Sequence, residues 1–271
     1  MLIERGDIAQ YRSIQDLKSS GNLRKPGIIS ASEESYKFFD DFKFERLSSL
    51  HGKDVRMEQN NFLHTNPTFS MVPIEEYISA ISKGETFEKD GREYYLSVYN
   101  IFKDFPHLVP DDMVQDVRKL KGLVEPLCWI GPKGTVTGLH ADWPDNFLCQ
   151  IQGRKRVMLI APETAREMKR SDRFDPETTV YDYDIDTVDD PRMPKQFWDA
   201  ATILVIEEGD ILYIPQNWVH WVAGLSPTVS INLFFQTPIE RMRFRAIEVL
   251  QRLSSALGVA YRENTHKAKQ V

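Results

Sequence analysis

The 271-residue chain is 41% hydrophobic and 11% aromatic, enough for a large core, and β-barrel enzymes of roughly 200–250 residues fold as single units. A formal net charge of −6 gives no basic footprint and argues against nucleic acid as the main partner, and no stretch approaches the ~18 apolar residues of a membrane span. The opening Met1-Leu-Ile-Glu-Arg-Gly-Asp7 has no apolar signal segment, and the two thiols, Cys128 and Cys149, fit a reducing compartment, so a cytoplasmic location is expected.

In chain order, Pro26-Gly27-Ile28-Ile29-Ser30 reads as a short strand, Glu34 to Leu50 as a helix, and Asp54 to Glu58 as a second strand. Ile74, Tyr77, Ile78 and Ile81 recur at i, i+3, i+4 and i+7 between Pro73 and Gly84, which predicts an amphipathic helix with a defined start and stop. A Pro-containing loop from Phe105 to Asp112 leads into a short helix to Leu120. From there strands dominate. Leu127 to Gly138 is an apolar run, a turn and a β-branched stretch leading into His140. Phe147–Gln152 and Lys155–Ile160 flank Gly153-Arg154 and read as a hairpin. The run Gly209-Asp-Ile-Leu-Tyr-Ile-Pro215 is a turn and a buried strand ended by proline, and Thr228–Phe235 is another strand. After Pro238, Ile239–Gly258 reads as a helix. Three regions follow: a supporting region 1–120, a β core 121–237 with an acidic insert at 163–200, and the helical segment 238–271.

The chemistry is carried by His140-Ala141-Asp142 and by His220. Side chains two apart lie on one face of a strand, so His140 and Asp142 point the same way. A histidine on a neighbouring strand then completes two imidazoles and a carboxylate, the ligand set of non-heme Fe(II) oxygenases with open coordination positions. A four-ligand cupin would need His-x-His and a following Glu, but Asp142 replaces the second histidine and Asp145, Asn146 and Phe147 supply no glutamate. A structural zinc site is disfavoured because neither cysteine belongs to a Cys-x-x-Cys pair; both sit in apolar strand patterns as small buried hydrophobes.

Gly134-Thr-Val-Thr-Gly-Leu-His-Ala-Asp142, Asn146-Phe147, Gly153-Arg-Lys-Arg156 and Gly209-Asp-Ile-Leu-Tyr-Ile-Pro215 through His220 together resemble the JmjC-type (cupin-8-like) 2-oxoglutarate oxygenases. Within that family the pattern is most like the asparaginyl hydroxylases of hypoxia-inducible factor. The likeness is strongest from Leu127 to Phe235 and looser from Pro26 onward. It implies a mainly β fold with flanking helices, a double-stranded β-helix (jelly-roll, cupin) barrel. It also implies Fe(II) held by His140, Asp142 and His220, with 2-oxoglutarate and O₂ as cosubstrates.

The same resemblance assigns Lys155 to the distal carboxylate of 2-oxoglutarate, since a buried ammonium needs an anionic partner to offset desolvation. Thr137 and Tyr95 would share that carboxylate, with Tyr94 the alternative to Tyr95, and Asn146 and Asn232 would line the pocket. Trp129, Trp218 and Trp221 crowd the site in sequence as wall or core residues. The implied activity is hydroxylation of a C–H bond in a protein or peptide side chain, with release of succinate and CO₂. A small-molecule or natural-product hydroxylase, and a catalytically silent cupin-like binding module, are the alternatives.

Asp182, Asp184, Asp186, Asp189 and Asp190 crowd the insert. Such a run is either a solvated face or a loop over the barrel mouth that would favour a basic substrate. In the last helix Met242, Ala246, Val249, Leu250, Leu253, Ala256 and Leu257 form an apolar stripe, with Arg241, Arg243, Arg245 and Arg252 on the other side. That stripe must be covered, by the chain's own N-terminal helices or, as the resemblance implies, by a second copy in a two-fold homodimer.

Overall fold

Eight strands between Leu123 and Gln236 carry inward residues at alternate positions and core residues between them. They are β1 (Leu123–Gly131), β2 (Val136–Asp142), β3 (Asp145–Gln152), β4 (Lys155–Ile160), β5 (Thr202–Ile206), β6 (Asp210–Ile214), β7 (Val219–Gly224) and β8 (Thr228–Gln236). The computed structural model describes residues 8–30, 38–60, 68–89, 91–175, 177–259, 262–263 and 269–270. One sheet has the order β6-β3-β8-β1 and the other β5-β4-β7-β2, all antiparallel. Two four-stranded antiparallel sheets interleaved in this way are the expected double-stranded β-helix.

Three apolar layers result. Val157 and Leu159 of β4 meet Leu148, Leu212, Ile214 and Val222 between the sheets. On the outer face of the larger sheet, Cys128, Ile130, Cys149, Ile231 and Leu233 pack against the N-terminal helices. The outer face of the smaller sheet is closed by Met168, Ile185, Met193 and Phe197 of the insert, over Met158 and Trp221. With both outer faces covered, a hollow remains between the sheets at the end of the barrel where β2 and β7 carry their histidines.

The supporting region extends the same sheets. Gly27–Ser30 pairs with β6, and the strand Arg92–Tyr99 pairs with β1 and with Asp54–Gln59. The helix Ile74–Ser82 buries the four expected residues, and Tyr77 donates its hydroxyl to the Ile130 carbonyl at 2.6 Å. Asp111–Lys121 is the expected second helix, ended by Gly122 at φ 91°. The expected helix from Glu34 to Leu50 is instead two single turns, Phe38–Asp41 and Phe44–Leu47; residues 34–37 lie outside the described residues. Phe38, Phe42, Phe44 and Leu47 are all buried, and the two-residue step from Phe42 to Phe44 cannot face one core from a continuous helix. Lys43 takes extended backbone (ψ 152°) to make the change.

Two further segments depart from their sequence reading. The insert contains a hairpin, Arg170–Asp175 with Thr178–Tyr181, whose second strand pairs directly with β2 beside His140 and Asp142. The helix Pro238–Ala256 begins with the capping box Thr237/Glu240, but its apolar stripe is not packed on the N-terminal helices. Met242 is 72% exposed and Leu250 65%, while Phe244 and Glu248 are its buried residues. The polar side of the helix faces the barrel, where Arg241 meets Glu125 at 3.8 Å and Arg245 meets Glu177 at 4.0 Å.

Candidate metal centre

β2 and β7 run antiparallel with His140 directly opposite His220, which brings the ring centroids to 4.1 Å. Asp142, two residues along β2, turns its carboxylate between them. Oδ1 is 3.7 Å from His140 Nε2 and Oδ2 is 3.4 Å from His220 Nε2. One ligand atom from each residue lies within 4.8 Å of the others, in a buried setting.

The other ring nitrogen of each histidine is committed. His140 Nδ1 donates to the Gly138 carbonyl at 2.7 Å and His220 Nδ1 to the Trp218 carbonyl at 3.0 Å. A proton held on Nδ1 by a backbone carbonyl leaves the Nε2 lone pair for a metal. Burial pushes the Asp142 carboxyl up, but His140, His220 and the Thr178 hydroxyl outweigh it and hold the group below the usual carboxylate range. Two imidazole nitrogens and a carboxylate converging on one side of the barrel fit a divalent transition metal with open positions.

A cavity of about 460 Å³ opens beside these ligands, lined by Thr137, His140, Asp142, Lys155, His220 and Asn232 among others. Lys155 opens β4 on the same inward face as Val157 and Leu159, and it is 7% exposed. Burial pushes its ammonium down to about 8, and among the described residues no carboxylate pairs with it. Of the two candidate tyrosines, Tyr95 touches a lining residue, its hydroxyl 2.9 Å from Thr137 Oγ1, while Tyr94 belongs to the outer core.

Thr137 and His140 share the cavity although their spacing is odd. His220 faces His140 but Val222 faces Thr137, so β2 carries one extra residue in a bulge that turns both inward. Asn146 does not line the cavity: it is 1% exposed, and its amide atoms lack hydrogen-bond partners among the described residues. Of the three tryptophans, only Trp129 lines the cavity. Trp221 is core and donates to the Ile185 carbonyl, and Trp218 donates to that of Arg24.

The cavity also holds Arg56, Glu58, Ser97, Tyr99, Glu177 and Arg245, none of which the sequence assigned to the site. For Arg56 and Glu58 the signal was present. Val55 and Met57 are core residues, so strand alternation sends Arg56 and Glu58 to the opposite, inward face. The acidic run is not part of the wall: Asp182 pairs with Lys169, and Asp184, Asp186 and Asp190 gather around Arg192.

The model of the cupin-like domain family matches residues 23–241. JmjC domain-containing protein D of Dictyostelium discoideum is 31% identical over 254 residues, 85% of this chain and 55% of that protein. Lysine-specific demethylase 8 of Xenopus tropicalis is 27% identical, over 78% of this chain and 48% of its own length. tRNA wybutosine-synthesizing protein 5 of Danio rerio is 28% identical, over 65% of this chain and 56% of its length. The chain thus spans about half the length of the curated relatives it matches.

Proposed function

The chain belongs to the cupin-like, JmjC-type family of Fe(II)/2-oxoglutarate oxygenases, and on that premise we propose that it is an active hydroxylase acting on a C–H bond, with a protein or peptide side chain as the substrate to test first. The observation that carries this reading is the occurrence, in one cavity, of the buried His140–Asp142–His220 cluster and a buried Lys155 that pairs with no carboxylate among the described residues. A silent binding module has no need of both.

In this reading His140, Asp142 and His220 hold Fe(II) through Nε2 and carboxylate atoms. Lys155 receives the distal carboxylate of 2-oxoglutarate, and Thr137, oriented by Tyr95, donates a second hydrogen bond to it. When bound, the iron with 2-oxoglutarate and O₂ supplies oxidation of the substrate C–H with release of succinate and CO₂. The protein's part is placement and exclusion of side reactions: Trp129, Leu148 and Phe234 give the cavity apolar walls. Asn232 lines the same space, and we assign it to the cosubstrate side.

A small-molecule hydroxylase of the same chemistry is the second reading, since relatives named for a lysine demethylase and for tRNA wybutosine synthesis do not converge on one substrate. We assign the outward apolar stripe of Pro238–Ala256 to a homodimer interface, supported by its exposure and by the rarity of such stripes on monomers. Anaerobic addition of Fe(II) and 2-oxoglutarate tests the central claim. The weak visible charge-transfer band of the chelate is expected, and its absence with folded protein overturns the oxygenase reading. A succinate-release screen over peptides, free amino acids and small molecules then ranks substrates.

A further inference from the structure

Resting on the reading of this cavity as the substrate chamber, we propose that Glu58 is its specificity residue and that it receives a cationic nitrogen, the guanidinium or ammonium of an arginine- or lysine-type side chain.

Glu58 lines the cavity, yet its side chain is only 9% exposed. Among the described residues its Oε2 has no hydrogen-bond partner. Buried carboxylate oxygens are normally paired, because an unmet charge in a low-dielectric site is costly. Burial pushes the Glu58 carboxyl up against the pull of Arg56. Arg56 claims only one edge of it: Arg56 Nε is 3.0 Å from Oε1, while the guanidinium carbon sits 4.3 Å over the Phe69 ring. The other oxygen, buried and unclaimed among the described residues, is the one that a donor entering the cavity would satisfy.

The other carboxylates of the cavity are already answered. Glu125 meets Arg241, and Glu177 meets both Arg245 and the Gln236 amide. Asp142 belongs to the metal set. Glu58 is therefore the carboxylate at which a substrate cation gains most. Its surroundings fit that role. Glu58 lies opposite Tyr95 in the strand register, one strand from the Tyr95–Thr137 contact that adjoins the metal ligands. Along the Tyr95 strand an extra residue shifts the pairing between Leu96 and Tyr99, with Val98 at φ 54°, and this bulge delivers Ser97, Val98 and Tyr99 to the cavity. Tyr99 and Trp129 add ring surface, which attracts cations. The acidic insert plays no part in this, since its aspartates lie outside the cavity wall.

The experiment is calorimetry on the anaerobic protein loaded with Fe(II) and 2-oxoglutarate. The ligands are Nα-acetyl-arginine methylamide and Nα-acetyl-lysine methylamide, their neutral citrulline and norleucine counterparts, and free arginine and lysine. At least one cationic ligand is expected to bind at least about tenfold tighter than its neutral counterpart. Glu58→Gln should erase that preference while Glu58→Asp keeps part of it. Tighter binding of the capped compounds points to a peptide, and of the free amino acids to a small-molecule substrate; either supports the proposal. Equal binding of cationic and neutral ligands to the wild type, no binding of any cation, or a preference that survives in Glu58→Gln overturns it, and the wild-type comparison stands even if the variant fails to fold. The charge-transfer band is read on the same samples. A band without cation preference leaves the oxygenase reading intact and removes this one, whereas a Glu58-dependent preference without the band does the reverse.

Discussion

The metal end of the barrel and the helix Pro238–Ala256 follow opposite rules. At the metal end the two histidines are placed by the backbone: His140 faces His220 across a strand pair, and a carbonyl fixes each Nδ1. On the helix, the charged side turns inward, with Glu240 on Lys121 at 2.9 Å and Arg241 and Arg245 on longer ion pairs, and the apolar side turns to solvent. A strand's alternation specifies its faces once the sheet exists, because its neighbours are in the same chain. A helix's apolar stripe specifies only that something covers it.

The sharpest way to break this contrast is at the ligands. His140→Ala or Asp142→Ala should cut 2-oxoglutarate turnover by more than about 100-fold, since even outer partners of metal ligands are worth roughly 10–100-fold. Circular dichroism should show the fold retained, because these side chains contribute little apolar burial. A His140→Ala variant with near-normal succinate release and unchanged metal content would show that the cluster is not the metal site.

Next in size is the cosubstrate anchor. Lys155→Ala should raise the apparent KM for 2-oxoglutarate at least about 30-fold, the low end of the roughly 2–5 kcal/mol for truncating one partner of a buried charge pair, with iron content unchanged. The pH dependence has a definite sign. Burial lowers the Lys155 ammonium to about 8, so it is charged below that pH and neutral above it. The apparent KM should therefore climb as pH rises through 8, and binding of the dianion in that range should take up a proton. Lys155→Arg, which stays charged, should lose the upward limb. A flat profile in the wild type would place the carboxylate elsewhere, with Arg154 or Arg156 the next candidates.

Much of this end of the molecule was legible in the sequence, for identifiable reasons. The spacing of His140 and Asp142 states their common face outright, and the Gly153-Arg154 turn sets the start of β4 and hence Lys155. Gly153 sits at φ 77° against the Pro227 carbonyl, where no other residue fits. Thr137 was recognisable only by resemblance, because a bulge cancels its parity and bulges leave no periodic trace. Asn146 shares the inward face of Leu148, two residues along β3, but is buried behind the cavity lining, a depth that strand parity alone does not specify. The helix over 34–50 failed where four aromatic and aliphatic residues had to reach one core from unequal spacing. Arg56 and Glu58 were readable from alternation but lacked any neighbouring motif to draw attention to them.

The helix offers a smaller, structural test. If its stripe is a two-fold interface, light scattering at micromolar concentration should give about twice the 31.4 kDa of the chain. Leu250→Arg, which places a charge at a residue 65% exposed in the single chain, should return the monomer without changing its far-UV spectrum. A wild-type monomer at that concentration ends the dimer assignment and leaves the stripe to another partner. Because Arg245 of the same helix lines the cavity, a monomeric variant should also show a modestly raised KM for substrate.

The smallest effect is expected in the acidic insert, although its composition made it look like a substrate-reading loop. Asp182 pairs with Lys169, and Asp184 and Asp186 share Arg192 with Asp190, on the outside of the smaller sheet. Replacing these three aspartates together by asparagine should leave kcat and KM for the true substrate unchanged and shift the melting temperature only slightly, since exposed ion pairs are screened and contribute little. Glu58→Gln in the same assay should weaken binding of a cationic substrate. If the triple variant lost turnover while Glu58→Gln did not, recognition would belong to the outer loop, and the division between a placed interior and a solvated insert would have to be redrawn.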